Sequence, residues 1–165
     1  GEHPPFPLDT EPDFTAAPRL ESGDGGLVSS AADYMRFCRM LLNGGSLDGM
    51  RVLSPKSVEL LGTNMLPGNR DIVEMAGDDR FRGWIAEGIG ISLCTGTTMN
   101  VARRMIPASL GDIFWAGAAA TYMLVDPAEE LAVVFMTQVL DAPFFLDLQR
   151  RLYTIVYGAM SLERG

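Results

Sequence analysis

Nucleophilic hydrolysis needs an activated serine, cysteine or threonine beside a base, and this sequence offers few candidates for the base. The only histidine, His3, stands in a proline-rich lead-in, so a Ser-His-Asp triad is not expected. The only lysine is Lys56, and Leu53 occupies the position where a Ser-x-x-Lys motif requires serine. Ser54 and Ser57 beside that lysine stand at helix-cap positions, and Gly-x-Ser-x-Gly is absent. The sequence therefore contains no nucleophile paired with its base.

Other groups that could support catalysis are better explained by structure. The carboxylate pairs at residues 78–79 and 129–130 lie in predicted turns, where adjacent side chains usually point apart, so a glycosidase-like pair is not favoured. The glycine loop at residues 22–26 lacks the Lys-Ser/Thr of a P-loop and the strand before it. Cys38 and Cys94 are not spaced as CxxC, and both are expected to be buried free thiols. We therefore expect no metal and no cofactor.

One stretch keeps a chemical interpretation. Trp115-Ala116-Gly117-Ala118 has the composition of a tight turn that precedes two strands. A backbone N–H at the start of a strand can stabilise an oxyanion if a nucleophile faces it. The structural alternative is that Trp115 belongs to the core and that the glycine and alanines form a tight sheet corner. The residues alone leave both interpretations open.

Composition narrows the classes of function. The chain has 165 residues, 47% of them hydrophobic, which is enough for one domain with its own core. Its net charge of -8 argues against nucleic acid or anionic lipid as partners, because both need basic surfaces. The arginine pairs at residues 103–104 and 150–151 are predicted to be solvated surface. No apolar run reaches the ~18 residues that span a membrane, so we expect a soluble protein; the compartment stays open, with the cytoplasm slightly favoured.

Two helices are predicted after an extended lead-in over residues 1–25, which hold five of the ten prolines. The first begins at the N-cap Ser30 and ends at the Asn-Gly-Gly of residues 43–45. The second has its N-cap at Ser54 and runs to about Gly62. The spacing i, i+3, i+4, i+7 predicts the buried stripe of the first helix to be Tyr34, Phe37, Cys38 and Leu41.

Three strands are predicted, at Gly88–Cys94, Ala119–Val125 and Leu131–Gln138, with a loop over residues 95–111. The turn at residues 126–130 contains a proline that presets φ, so the second and third strands should form an antiparallel hairpin. Because the third strand is apolar on both faces, it is expected to be central in the sheet and covered by helices on both sides.

The last predicted element is a helix capped by Asp141, with Pro143 in its first turn. Helical periodicity predicts its buried stripe to be Phe145, Leu148, Leu152, Ile155 and Val156. Three antiparallel strands with helices packed on them define an α+β domain.

Several stretches together resemble the C-terminal part of the serine beta-lactamase-like family, in particular its class C beta-lactamase, family VIII esterase and penicillin-binding protein-like members. Residues 25–61 contain the Gly-Gly-Leu-Val-Ser turn, Leu-Leu-Asn-Gly-Gly and the Leu-Ser-Pro helix cap. Residues 115–138 are similar to the family's third motif and the two strands after it. The resemblance implies a partial beta-lactamase/transpeptidase-like fold. The family fold has a five-stranded antiparallel sheet with helices on both faces, beside an all-helical domain. By the resemblance, residues 26–165 would supply the three C-terminal strands and the last helix, and an N-terminal portion would supply the other two strands and the first helix.

The family's Ser-x-x-Lys and Tyr-x-Asn motifs are absent, so only its third motif can be carried over. The resemblance assigns substrate binding to Trp115, Ala116 and Gly117, and the tryptophan points to the esterase-like members. It assigns the role of oxyanion donor to the backbone N–H of Ala118. Ala116 and Ala120 depart from the pattern, because esterase-like members commonly carry glycine at both positions. Either alanine would narrow the cleft or mark a member that hydrolyses poorly.

The expected function is that of a C-terminal fragment of a serine hydrolase, inactive alone, whose parent acts on a small ester or lactam through an acyl-enzyme. The alternative is a non-enzymatic binding or regulatory module that kept half of a hydrolase fold. A third possibility is a hydrolase assembled from two chains. An open sheet edge would favour self-association or pairing with the missing N-terminal half. Neither nucleic acid nor a membrane is expected as a partner.

Overall fold

The computed structural model describes residues 28–76, 86–117, 119–139 and 145–160. The chain divides into two compact units, residues 1–30 and residues 31–165. The predicted lead-in at residues 1–25 lies outside the described residues. In the second unit, helices and antiparallel strands confirm the predicted α+β class. Of the helices in the described ranges, none is long and apolar enough to cross a membrane.

The described part of the chain contains both α-helices and β-strands. The α-helices are α1 (Ala31–Leu42), α2 (Pro55–Leu61), α3 (Ile72–Ala76), α4 (Val101–Arg104) and α5 (Phe145–Ala159). A small antiparallel hairpin between α1 and α2 consists of β1 (Ser46–Leu47) and β2 (Met50–Arg51). The main sheet is antiparallel, and its strands lie side by side in chain order: β3 (Ile89–Ile91), β4 (Gly96–Thr98), β5 (Ile113–Ala116), β6 (Tyr122–Asp126) and β7 (Leu131–Phe135).

Local hydrogen bonds explain the end of α1 and the start of α2, both of which were predicted. α1 ends where the N–H of Gly45 donates to the carbonyl of Met40 at 2.8 Å, so the glycine closes the last turn. At the start of α2, the Ser54 hydroxyl accepts the N–H of Ser57 at 3.0 Å, which confirms the predicted cap. Lys56 projects from this helix into solvent and pairs with Glu59 on the surface, so this lysine has no buried partner that would activate it.

The buried face of α1 is only partly the predicted one. Cys38 and Leu41 are buried as expected, and Tyr34 is half-buried. Phe37 is 42% exposed, so its predicted burial was wrong, and Met40 is buried in its place. The Phe37 and Tyr34 rings instead contact each other with their centroids 5.7 Å apart.

The main sheet has more strands than the three that periodicity predicted. The loop expected over residues 95–111 was wrong, because it contains β4 and α4. β4 reads Gly-Thr-Thr and shows no apolar alternation, yet all three residues are buried. Its polar side chains find partners, as when the Thr97 hydroxyl donates to the Gly62 carbonyl at 3.0 Å. β5 was also missed as a strand, since its four residues were assigned to the approach to a turn.

The two faces of the sheet carry separate apolar clusters. On one face, α1 and α2 pack against alternate residues of β5, β6 and β7 such as Ile113, Val125 and Val134. On the other face, α5 packs against the intervening residues, such as Phe114 and Leu124. The sheet is therefore the middle layer of a three-layer unit.

β7 is covered as predicted but is not central. Leu131, Val133 and Phe135 join the cluster under α5, whereas Ala132 and Val134 join the cluster under α1. This two-sided packing explains why the strand is apolar on both faces. β7 nevertheless pairs only with β6 among the described residues, so its outer edge has no strand partner there.

The face that α5 turns to the sheet is only partly the predicted one. Tyr153 is fully buried, whereas Ile155, placed in the predicted stripe, is 69% exposed. Leu152 does pack against the sheet, as expected. The difference arises because tyrosine hydroxyls of α5 bond to buried polar groups of the sheet, as described below. The predicted cap and first turn, Asp141 and Pro143, lie outside the described residues.

Both cysteines are free thiols, as predicted, but only one is buried. Cys38 has no exposed surface, and burial raises the pKa of its thiol to about 11. Cys94 is exposed in the connection between β3 and β4, so its predicted burial was wrong.

Two adjacent glycines after α1 provide a matched test of this junction. Gly45 has φ +92°, and a Cβ there would lie 2.2 Å from the carbonyl oxygen of Leu53. We expect Gly45→Ala to lower the free energy of unfolding by more than about 3 kcal/mol, because strain and a backbone clash add. Gly44 has φ +63°, and no atom lies within 4 Å of the place that a Cβ would occupy, so Gly44→Ala should cost only about 1 kcal/mol. Urea denaturation of both variants measures the difference; equal losses would contradict the assigned contact.

Candidate functional site

The turn between β5 and β6 is closed by two backbone hydrogen bonds. The N–H of Gly117 donates to the Thr121 carbonyl, and the N–H of Ala120 donates to the Gly117 carbonyl, each at 2.9 Å. The strands on either side are in register, with Ala116 opposite Tyr122. The predicted tight turn is therefore present, and its backbone is held from both sides.

Gly117 leaves a space in this turn that the Thr121 side chain occupies. A Cβ at this position would lie 2.4 Å from the hydroxyl oxygen of Thr121. The absence of a side chain lets the threonine lie directly over the backbone. Ala118, the predicted oxyanion donor, lies outside the described residues, so its role stays a prediction.

Trp115 is not a core residue. It is 48% exposed, although Ile113 on the same face of β5 is buried. The structural alternative, in which the tryptophan fills the core, is therefore not supported. An aromatic side chain that is half-exposed beside a closed turn can offer an apolar wall to a small molecule.

The two alanines that depart from the resemblance are both more buried than Trp115. Ala116 follows it on the strand, and its side chain packs in the cluster under α5. Ala120 is only 4% exposed, so its methyl group also points inward. Ala120 has φ +58°, a left-handed conformation that favours glycine. The preference for glycine at this position thus has a backbone cause.

A buried polar network lies under the same pair of strands. Arg104 is 1% exposed, which shows that its assignment to solvated surface was wrong. Its guanidinium donates to the Thr98 hydroxyl and pairs with Asp112 at 3.5 Å. It also lies over the rings of Phe114 and Tyr153, 4.5 and 4.8 Å from their centroids. Because Nε has no hydrogen-bond partner among the described residues, the charge is stabilised in part by these rings.

Tyrosine hydroxyls connect this network to α5. Tyr153 donates to Asp112 at 3.4 Å and lies 2.9 Å from the hydroxyl of Tyr122 on β6. At the far end of β6, the Tyr157 hydroxyl donates to the buried carboxylate of Asp126. α5 is therefore fixed to the sheet by polar contacts at two points along its length.

The electrostatics of the network follow from its burial. Burial raises the pKa of Asp112 to about 6, although Arg104 and the Thr98 hydrogen bonds oppose the shift. Burial also raises the pKa of Tyr153 and Tyr122 well above the usual phenol range. Both phenols are therefore neutral hydrogen-bonding groups at physiological pH.

The other arginines of the two pairs have different surroundings from Arg104. Arg103 pairs with the buried Asp71 at 2.9 Å and also with Glu74, so it is a structural link and not free surface. Asp71 and Glu74 in turn cap α3 by reciprocal side-chain to backbone bonds. Arg151 is solvated as predicted, with a surface partner in Asp147 at 2.8 Å. Within the described ranges, no cluster of His, Cys, Asp or Glu has the makings of a metal site.

The network residues were not found in the sequence. Arg104 reads as half of a basic pair, and Asp112 reads as a loop residue before a turn. The available signal was the i, i+4 spacing of Tyr153 and Tyr157 on the last helix, which puts two hydroxyls on one face. A pattern that counts only apolar residues passes over that signal.

Ala120→Gly is expected to stabilise the turn. Glycine avoids the left-handed strain of a Cβ, which costs about 1–2 kcal/mol, but it is freer in the unfolded chain. We therefore expect the free energy of unfolding to rise by up to about 1 kcal/mol. Ala119 lacks a positive φ, so Ala119→Gly is the control and should lower stability by about 0.5–1 kcal/mol. A loss of stability in Ala120→Gly, measured by urea denaturation, would contradict the inferred strain.

The raised pKa of Asp112 predicts a pH dependence of stability. Its ordinary value is 3.8 and its folded value is about 6, so the folded protein holds this proton more tightly than the unfolded chain. Protonation of Asp112 therefore stabilises the folded state in full below pH 3.8. About 3 kcal/mol of this stabilisation is lost as the pH rises through 6.

Asp112→Asn isolates this effect, because asparagine has the same shape and does not titrate. The free energy of unfolding of wild type minus that of the variant should fall between pH 4 and pH 7. Denaturation midpoints at several pH values give the difference. A flat or rising difference would show that Asp112 is not the titrating group.

Comparison with known proteins identifies the family of this chain. The model of the family named Beta-lactamase matches residues 1–156. Protein Rv1367c of Mycobacterium tuberculosis (strain ATCC 25618 / H37Rv) is 36% identical over 128 residues, which cover 77% of this chain and 31% of that protein. An uncharacterized protein of strain CDC 1551 / Oshkosh matches with the same identity and coverage. The chain thus spans about a third of the length of the curated relatives it matches.

Solved structures share the fold. Simvastatin synthase (LovD) from Aspergillus terreus matches with a TM-score of 0.60 at 18% identity, over 80% of this chain and 33% of that one. EstCE1, a hydrolase with promiscuous acyltransferase activity, matches with a TM-score of 0.55 at 17% identity, over 78% of this chain and 29% of that one. At these identities the likeness shows the fold alone. The fold and the family match over nearly the whole chain agree, and this chain belongs to the Beta-lactamase family.

Proposed function

We propose that this chain is the C-terminal part of a serine hydrolase that cleaves a small ester or lactam through an acyl-enzyme. The observation that carries the proposal is the half-exposed Trp115 beside a hydrogen-bonded turn, in a chain of the Beta-lactamase family. Two facts support the fragment interpretation. The sequence lacks Ser-x-x-Lys and Tyr-x-Asn, and it spans about a third of its curated relatives.

The turn would act as one wall of the active site. A serine from the rest of the protein attacks the substrate carbonyl, and the carbonyl oxygen becomes an oxyanion. The N–H of Ala118 donates to that oxyanion, while Trp115 lines the pocket for the apolar part of the substrate. The intermediate then collapses, the C–O or C–N bond to the leaving group breaks, and the leaving group takes a proton. Water attacks the acyl-enzyme in the same way and releases the acid.

Preorganisation is the contribution that this chain can make to the reaction. Donors that are fixed before the reaction stabilise developing charge without reorganisation. Hydrogen bonds at Gly117 and Ala120 hold the turn on both sides of Ala118. Ala116 packs in the cluster under α5, and Ala120 is buried, so both methyl groups belong to the support of the turn.

The free edge of β7 supports a structural role for the missing portion. The strand is packed on both faces but unpaired along its outer edge in the described residues. Beyond it, Met136 is 42% exposed. Unpaired N–H and C=O groups of an apolar strand are a template for another strand. We propose that the N-terminal portion pairs there in the whole protein.

The isolated chain should not turn over esters. Purified residues 1–165 are expected to hydrolyse p-nitrophenyl acetate no faster than buffer, because the nucleophile and its base are absent. Peptide mapping of the endogenous protein should find these residues in a polypeptide much heavier than 17.9 kDa. Turnover that survives rigorous purification would refute the proposal. A native mass of 17.9 kDa would favour a binding module or a two-chain hydrolase instead.

The oxyanion role can be tested in the native polypeptide. Ala118→Pro removes the N–H, and we expect kcat to fall by about 10²–10³-fold. Ala118→Gly keeps the N–H and serves as the control, with kcat expected to remain close to wild type. Equal losses in both variants would mean that the turn tolerates no change there, and the donor role would be rejected.

The exposed edge predicts association of the isolated chain. Light scattering in the presence of a reductant should show dimers or larger species whose proportion rises with concentration, because β7 can pair with a second copy. Adding the N-terminal portion should return the sample to a single one-to-one species. A clean monomer at high concentration would count against an open edge.

A further inference from the structure

One buried carboxyl group and two buried phenols form a short chain of hydrogen bonds under the β5–β6 pair. The Asp112 carboxylate lies 3.4 Å from the Tyr153 hydroxyl, and that hydroxyl lies 2.9 Å from the hydroxyl of Tyr122. Tyr122 is opposite Ala116 in the strand register, where the two strands enter the turn. The chain of hydrogen bonds therefore links a carboxyl group at the start of β5 to the first residue of β6.

When Asp112 is ionised, the number of protons fixes the direction of these hydrogen bonds. A carboxylate can only accept, so Tyr153 donates its single hydroxyl proton to Oδ2 of Asp112. Tyr153 then has no proton left for Tyr122, and the Tyr122 hydroxyl has to donate to the Tyr153 oxygen. Each hydroxyl proton thus has an acceptor in the ionised state.

Protonation of Asp112 inverts this order. Oδ1 accepts the backbone N–H of Thr98 at 2.8 Å, so the carboxyl proton belongs on Oδ2, next to the Tyr153 oxygen. The carboxyl group then donates to Tyr153, and Tyr153 donates to Tyr122, whose hydroxyl changes from donor to acceptor. One proton enters from solvent, and each phenol carries one proton before and after the change.

The surroundings of the carboxyl group tolerate both states. Arg104 of α4 lies 3.5 Å from Oδ2, which is long for an ion pair, and its guanidinium also donates to the neutral Thr98 hydroxyl and lies over two rings. Burial and the Asp126 carboxylate of β6 both disfavour ionisation, so the pKa of Asp112 rises to about 6. Tyr157, the other phenol of α5 near this carboxyl group, donates to Asp126 instead. Both states of Asp112 are therefore populated near pH 6.

We propose that Asp112, Tyr153 and Tyr122 form a proton-linked switch, in which uptake of a proton by Asp112 reverses the hydrogen bonds that support the turn between β5 and β6. In the protonated state the Tyr122 hydroxyl proton has no acceptor among the described residues, so the unfavourable change falls next to the turn. The Tyr122 ring stacks on Phe114 with centroids 6.0 Å apart, and its backbone pairs with Ala116. The support of the turn therefore differs between the two states. The switch needs no nucleophile and no substrate, so it does not depend on the proposed hydrolysis.

NMR of the native polypeptide can follow both ends of the chain of hydrogen bonds as the pH is changed. Isotopically labelled threonine reports the ionisation of Asp112 through the N–H of Thr98, and fluorotyrosine reports the hydroxyl group of Tyr122. Each signal is assigned by its loss in Thr98→Ser or Tyr122→Phe. In the wild type we expect both signals to shift with one common midpoint near pH 6.

Tyr153→Phe interrupts the chain of hydrogen bonds between its two ends. The Thr98 signal should still titrate, whereas the pH-dependent shift of the Tyr122 signal should be lost. Tyr157→Phe is the matched control, because it removes the other phenol of α5, which bonds to Asp126; both signals should titrate as in the wild type. The proposal is overturned if the Tyr122 shift survives in Tyr153→Phe, or if the wild type shows no such shift.

Asp112→Asn is the second variant, and it decides the question if Tyr153→Phe does not fold. The asparagine amide donates where the protonated carboxyl group does, so it holds the hydrogen bonds in the reversed direction. The Tyr122 signal should therefore stay at its low-pH position at every pH. A Tyr122 signal that titrates in this variant, or that stays at the high-pH position, would contradict the switch.

Discussion

The side chain of Arg104 carries a full positive charge in a place that solvent does not reach. An unpaired charge there would cost several kcal/mol, so its neighbours have to compensate for the lost hydration. Asp112 supplies the opposite charge, the Thr98 hydroxyl accepts a hydrogen bond, and two aromatic rings flank the guanidinium. These groups come from β4, from the start of β5 and from α5. One buried charge thus fixes the spacing between the sheet and the helix that covers it.

The position of the turn after β5 depends on these contacts between the sheet and α5. Tyr122 faces Ala116 across the strand pair, and its hydroxyl lies against Tyr153 of α5. The β5–β6 pair is therefore held to α5 by polar contacts of its side chains, and its two strands are joined at the turn by backbone hydrogen bonds. A rigid base is what a surface needs if it is to present a backbone N–H in a fixed direction.

Local features of the fold could be predicted from sequence because their causes are local. Ser54 and the glycines after α1 set helix ends through bonds to residues a few positions away. The hairpin of β6 and β7 follows from a proline turn between two apolar runs. β4 and the orientation of α5 could not be predicted in this way, because Thr98, Arg104 and Tyr153 are buried by bonding to each other across the chain. A pattern based on hydrophobicity alone assigns polar residues of this kind to the protein surface.

Some features of the candidate site could likewise be predicted from the sequence, and others could not. The tight turn was predictable from small residues beside Trp115, and the structure adds that the tryptophan is half-exposed. The directions of Ala116 and Ala120 could not be read from the sequence, because they depend on strand register and on a positive φ. The burial of Gln149 and Tyr153 depends on the rotation of α5, which apolar periodicity had placed only in part.

The contrast between the two cysteines has a practical consequence. Cys38 is sealed in the core and its thiol ionises only near pH 11, so it is inert toward alkylating reagents while the protein is folded. Cys94 lies on the surface between β3 and β4. Since the chain has just two cysteines, a maleimide dye or spin label would attach at one defined place without any mutation. Appearance of a second labelled site would then report that the layer between α1 and the sheet has opened.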